Sequence, residues 1–372
     1  MKKIATINFL DHFVFYSLSL IFPLYLAQKN LSLSEIGLLL SIMPFVSIAF
    51  RLLFAYVADR IGYKLFFIID GISMALANVI YAFASLPIHF GLGKISEAVS
   101  TQSFWAVNRT AIYFSSNGRE EKSAAFMDGV RRVAIALGTL ASGFFLTSIS
   151  FENTFILLST ISLFLAFIAF TLKGKITPIR FNMKDFSLAV LMKRKRSFWQ
   201  TSLAMVFSVS VLTVLVMFAL PLFMKEQLGL SYEEIGVLFT IFYVASAIGS
   251  FITLKKDFQL YFLPLMVFLS LSIIFLPLSP AEYFFILFVI FSLSYGILFA
   301  FHEYIIAKET KGSKTVSLDI GVLHIPTRIA QTIVLILGGF LAQIFGFVSV
   351  FLLSFFMFVG FSVVAHGLIK KN

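Results

Sequence analysis

Leu31-Ser-Leu-Ser-Glu-Ile-Gly37 and Leu230-Ser-Tyr-Glu-Glu-Ile-Gly236 are two copies of one string, 199 residues apart by number. Each follows an apolar run containing a proline, Pro23-Leu-Tyr in one case and Pro221-Leu-Phe in the other, and each leads into the next apolar run. A second correspondence lies further along the chain. Arg132, Gly143, Phe144, Phe151, Phe155 and Leu157 match Arg328, Gly339, Phe340, Phe347, Phe351 and Leu353. Repetition at half the chain length, in strings polar enough to stand out from Phe- and Leu-rich background, predicts a protein made of two related halves.

The composition says what the halves are made of. Hydrophobic residues are 59% of the chain and charged residues 13%, with 48 phenylalanines. A soluble domain is roughly 45–50% apolar and about 25% charged, and its surface cannot be covered from so small a polar supply. Lipid removes that problem. About 20 apolar residues cross the hydrocarbon core as a helix, and twelve such segments are legible, near 9–27, 34–58, 65–84, 87–113, 125–148, 153–172, 198–223, 235–254, 260–279, 283–306, 316–343 and 347–369. The longest polar interval, Lys173–Ser197, divides them six and six. The expected organisation is therefore a six-helix bundle over 1–172, a basic linker over 173–197 and a second six-helix bundle over 198–372. A cleaved signal peptide is not expected, because Leu20–Lys29 shows no small-x-small site and the next span follows at once.

Basic residues fix the expected orientation. Lys2, Lys3, Arg60, Lys64, Arg119, Lys122, Lys255, Lys256, Lys308, Lys311, Lys314, Lys370 and Lys371 fall at the ends or after even-numbered spans, and eight more lie in the linker; the other side has only Lys29 and Lys225. The positive-inside rule then places both termini and the linker in the cytoplasm, with the chain multi-pass in the plasma (inner) membrane. The net charge of +11 is spent on topology, and no nucleic-acid partner is expected. The linker's basic run either only fixes topology or also touches anionic lipid. Six spans separate the copies, so the halves share one membrane orientation. Two such bundles, related by a pseudo-two-fold axis along the membrane normal, leave a cavity that rocking opens to each side in turn.

Ala55-Tyr-Val-Ala-Asp-Arg-Ile-Gly-Tyr-Lys64 is the sharpest local motif. Gly62 permits a tight turn. Asp59, at a helix C-terminal end where negative charge is unfavourable, calls for a partner such as Arg60 or Lys64. The segment resembles the loop 2–3 signature of the major facilitator superfamily, in which a Gly, three residues, Asp-Arg, any residue, Gly and two basic residues follow one another. Ala55 stands for the leading Gly and Tyr63 for the first basic residue. The resemblance implies an all-α integral membrane fold of the twelve-helix type. It also implies that Asp59, Arg60, Gly62 and Lys64 control interchange between outward- and inward-open states. In the second half only Lys255-Lys-Asp257 remains of the motif. Lys94 and Ala98 are at most a degraded form of the span-four motif of drug exporters. Gly129, Gly138 and Gly143 lack the proline and paired glycines of the span-five antiporter motif.

Ionisable residues inside spans are costly and face protein or water. In span four Lys94, Glu97, Thr101, Trp105 and Asn108 follow steps of three and four, and so share one helix face that is expected to line the cavity. Lys94 with Glu97, and Asp128 with Arg132, are spaced to pair. Such pairs either couple transport to proton uptake or serve only structure. Arg132 and Arg328 hold equivalent places, and with Arg51 they suit a carboxylate, phosphate or sulfate group. Arg328 pairing locally with Glu303 or Asp319 is the competing expectation. His302-Glu303 and His324 are candidate proton carriers. Asp11, His12 and Asp70 read as shallow enough to reach water, and the many phenylalanines as lipid-facing bulk.

No glycine loop that would cradle ATP is present, metal-ligand spacings are absent, and the chain has no cysteine. No cofactor and no enzymatic activity are expected. The expected function is secondary active transport of a small solute, driven by a proton or other ion gradient, by a monomer in lipid. Drug-like efflux and organic-anion or metabolite transport both fit. A transporter-like sensor or scaffold without flux is the alternative.

Overall fold

The computed structural model describes residues 1–115, 120–173, 194–253, 262–311 and 316–370. Side chains at 52, 55, 56, 58–61, 113, 114, 120, 121, 124, 125, 281 and 316–318 are also outside the description. Most of the basic linker and the Lys255-Lys-Asp257 segment therefore lie beyond it.

Among the described residues the chain is all helix. α1 spans Lys2–Gln28, α2 Leu33–Ile61, α3 Tyr63–Ala82, α4 Pro87–Ser115, α5 Glu120–Ser148 and α6 Phe151–Phe170. α7 spans Arg196–Glu226, α8 Tyr232–Ile252, α9 Phe262–Phe275, α10 Ala281–Thr310, α11 Val316–Phe345 and α12 Phe347–Ile369. Each falls on one of the apolar segments. Ten are long and apolar enough to cross a membrane. α4 misses that test because its polar stripe lowers its hydropathy, and α9 because only 14 residues are described.

Contacts divide the chain into two units. The first holds Met1–Leu31, Leu39–Ile179 and Gly229–Thr240; the second holds Ser32–Leu38, Arg180–Leu228 and Ile241–Asn372. In the first, α3 packs on α6 and α4, and α1 on α5. Small residues permit this: a Cβ on Gly71 would lie 2.7 Å from the Ala166 backbone nitrogen and the Ser162 carbonyl oxygen. In the second unit α7 packs on α12 and α11, and α9 on α12. α7 is interrupted by a π-helical segment, Leu212–Ala219.

The repeated string has one structural job in both copies. Ser32 and Ser231 open α2 and α8 in capping boxes: their backbone N–H groups donate to Glu35 Oε2 at 2.8 Å and Glu234 Oε2 at 2.7 Å. Such boxes satisfy N–H groups that a helix start leaves unpaired. The glycine of each string then meets the glycine of the second repeat. Within the second unit a Cβ on Gly37 would lie 2.9 Å from Gly339 Cα, and within the first a Cβ on Gly236 would lie 2.9 Å from Gly143 Cα. Neighbouring hydrogen bonds join the same helix pairs, with Leu33 N–H donating to Gln343 and Thr147 donating to Glu233.

Gly62 begins α3 with φ of 81°, the left-handed region that a β-carbon disfavours. The phenylalanines divide between two environments, which corrects the reading of them all as lipid-facing bulk. Phe22, Phe67, Phe90, Phe104 and Phe155 are fully buried in the first unit, and Phe218, Phe242, Phe288 and Phe291 are fully buried too. Phe45, Phe83 and Phe268 are exposed. Composition cannot separate the two, since lipid and core are equally apolar.

Candidate functional site

Apart from Trp105, the polar face of α4 is buried inside the first unit. Lys94 Nζ lies 2.7 Å from Glu97 Oε2, with the side chains 4% and 3% exposed. Tyr81 of α3 donates its hydroxyl to the same oxygen at 2.9 Å. The Lys94 ammonium also sits 4.1 Å from the centre of the Phe22 ring on α1, a cation–π contact that strengthens when desolvated. Lys94 and Glu97 thus occupy a closed pocket of aromatic walls among α1, α3 and α4. Spacing on α4 anticipates the pair; Tyr81 and Phe22 come from other helices and have no signal in sequence.

Further along the face, Asn108 accepts from Asn8 Nδ2 at 2.8 Å, and Asn8 also donates to Ile4 O. Trp105, 39% exposed, meets the His12 ring edge-on at 5.8 Å. His12 Nδ1 faces Asn8 O at 2.9 Å and Asp11 Oδ2 at 3.0 Å. Asp11 and Asp70 do not reach water. They are 8% and 1% exposed, because these faces of α1 and α3 turn into the bundle. Ser100 donates to Asp70 Oδ1 at 2.6 Å, while Asp70 Oδ2 is buried without a hydrogen-bond partner.

Asp128 on α5 bonds Arg132 Nε at 2.7 Å, and also pairs with Arg131. Sequence reading named only Arg132, although Arg131 at i+3 was equally in reach. α1 and α5 frame an apolar recess of about 400 Å³ lined by Phe9, Phe126, Gly129, Val130 and Val133. At the end of α1, Lys29 pairs with Glu152 at 3.1 Å, and that hydrogen bond is the main cause raising its pKa.

In the second unit His302 is buried and shares a 2.6 Å hydrogen bond with Ser208. Glu303 points outward and is exposed. Asp319 takes Arg194 at 2.6 Å. The expected pairing of Arg328 with Glu303 or Asp319 is therefore corrected: Arg328 Nη1 donates instead to Gln331 Oε1 at 2.8 Å, and Gln331 Nε2 to Thr213 Oγ1 on α7 at 2.7 Å. A residue three positions on is in reach on a helix, so Gln331 was open to view in the sequence, whereas Thr213 was not. His324 Nδ1 faces Ile320 O.

At the loop 2–3 motif, Lys64 lies 4.9 Å from the centre of the Phe170 ring. The side chains of Asp59 and Arg60 are outside the description. Arg51 is partly exposed on α2.

The family profile of the Major Facilitator Superfamily matches residues 4–300 and 202–371, which together take in nearly the whole chain. The chain belongs to the major facilitator superfamily. This superfamily member has the all-helical fold of solved transporters. A point mutant of the nucleoside transporter NupG aligns with a TM-score of 0.78 at 16% identity, over 99% of this chain and 98% of that one. NupG itself aligns at 0.76 and 15%, over 100% and 99%. A bacterial homologue of the human lysosomal transporter Spinster, inward-facing and occupied, aligns at 0.73 and 16%, over 98% and 94%. At these identities the likeness shows the fold alone. No curated protein matches the sequence. Family membership and the apolar helices make the chain a multi-pass membrane transporter of a solute.

Proposed function

We propose that this protein is a secondary active transporter that moves a small solute by alternating access, coupled to proton movement, as a monomer in the plasma (inner) membrane with both termini in the cytoplasm. It works on an ion gradient and without a cofactor, and Asp59, Arg60, Gly62 and Lys64 form its conformational gate. The observation that carries the coupling is the buried Lys94–Glu97 pair. Two charges out of water hold each other in place only while both are charged. Proton uptake by Glu97 would remove the charge that offsets the buried ammonium, and α1, α3 and α4 would have to rearrange around it. Asp128 with Arg131 and Arg132 is a more exposed charge cluster on α5 suited to follow that rearrangement.

The test is flux in proteoliposomes across a panel of sugars, organic acids, amino acids, nucleosides and cationic dyes. Wild type accumulates its solute when a pH gradient is imposed. Glu97→Gln keeps solute exchange and loses gradient-driven accumulation. A Glu97→Gln protein that still accumulates solute from the pH gradient removes Glu97 from the coupling.

A further inference from the structure

Among the described residues, Arg328 is a half-buried charge without an ion-pair partner. It lies twelve positions after Val316 in the 30-residue α11, about 18 Å along the axis at 1.5 Å per residue. The hydrocarbon core is about 30 Å thick, so the guanidinium sits near mid-depth, where a charge is most costly. Among the described residues no carboxylate lies within ion-pair distance of it. Asp319 is taken by Arg194. Its counterpart Arg132 differs, since it has an ion pair with Asp128.

The surroundings hold Arg328 in place without cancelling its charge. Gln331 Oε1 accepts one of its five N–H donors, and Gln331 is fixed in turn by Thr213. Arg328 Nε is buried with no partner. Thr213 belongs to the π-helical segment of α7, and π-helical turns recur at functional sites. Ser210 Oγ, three positions earlier, is also buried and unpartnered. A planar donor fork held by neutral groups is suited to bind a carboxylate or phosphate in bidentate fashion.

We propose that Arg328, positioned by Gln331 and Thr213, binds the anionic group of the transported solute, a carboxylate or phosphate. The proposal rests on the transporter reading above and narrows it to anions. A lipid phosphate has the same chemistry but belongs at the interface, so the free solute is the ligand argued for.

The test is thermal unfolding of the full chain, delipidated in neutral detergent, with inorganic phosphate, succinate and succinamide as probes. A parallel arm uses nanodiscs with and without phosphatidylglycerol. Phosphate or succinate is expected to raise the melting temperature, and succinamide is not. Arg328→Gln should weaken that binding roughly 10- to 100-fold, the effect of losing a charge-assisted hydrogen-bonding group. Gln331→Glu supplies an internal carboxylate, and should abolish anion binding while leaving the protein folded and at least as stable without ligand. Three results would overturn the proposal: no anion shifting wild type, anion binding undiminished in both variants, or stabilisation by phosphatidylglycerol alone. A neutral solute that is transported equally well by Gln331→Glu protein also overturns it, and leaves the transporter reading standing.

Discussion

Glu97→Gln changes one atom in a site where the charges are almost wholly removed from water. At 2.7 Å, with an effective dielectric constant of about 20, the Lys94–Glu97 attraction is about 6 kcal/mol. The glutamine carbonyl still accepts from Tyr81 and Lys94, so the hydrogen bonds largely survive and the loss is of charge pairing. Breaking a buried pair by removing one partner typically costs 3–5 kcal/mol, and about 3 kcal/mol is expected here. Lys94→Met should cost a similar amount, because it strands the carboxylate. The double variant removes both charges and should recover about 2–3 kcal/mol relative to the sum, the coupling expected of residues in contact. Unfolding by SDS titration in mixed micelles measures each corner of this cycle. Single variants within about 1 kcal/mol of wild type, or a double variant equal to the sum, would refute the claim that the pair is a mutually dependent buried charge site.

Gly71→Leu places a side chain where even a Cβ meets the α6 backbone at 2.7 Å. It should prevent α3–α6 packing and abolish monodisperse protein on size exclusion, whereas Gly129→Ala, with open space around its Cβ, should be recovered at wild-type yield. Asp70→Asn keeps the acceptor for Ser100 and removes a carboxylate with an unpartnered oxygen. Its SDS midpoint should match or exceed wild type, and a loss above about 2 kcal/mol, the scale of an unmet buried polar group, would show that Oδ2 has an essential partner. A C-terminal fluorescent-protein fusion should be bright and an alkaline phosphatase fusion inactive, as the lysine and arginine distribution requires.

What was legible in the sequence followed the periodicity of single helices. Apolar runs located the twelve spans, and steps of three and four paired Lys94 with Glu97 and Asp128 with Arg132. The repeated Ser-x-Glu-Ile-Gly string was legible as repetition, but its reason was not: Gly37 meets Gly339, and Gly236 meets Gly143, only once helices are packed. Contacts across helices depend on how each helix is rotated, which local spacing does not encode. Tyr81 on Glu97, Ser100 on Asp70 and Thr213 on Gln331 were out of reach for that reason. The same cause misled the reading of Asp11 and Asp70 as water-reaching. The π-helical segment of α7 was equally hidden, because Leu212–Ala219 reads as an ordinary apolar run.

Alternating access is the central claim, and the absence of cysteine from the chain gives it a clean test. Two double-cysteine variants, Ser85→Cys with Ser279→Cys and Tyr63→Cys with Lys311→Cys, carry one spin label in each unit, at loops and helix ends, the two pairs on opposite expected sides of the membrane. Pulsed electron-spin distance measurements in nanodiscs are taken at two pH values, with and without solute. The account predicts that one pair shortens as the other lengthens. Distances that stay fixed, or that rise and fall together, would contradict it.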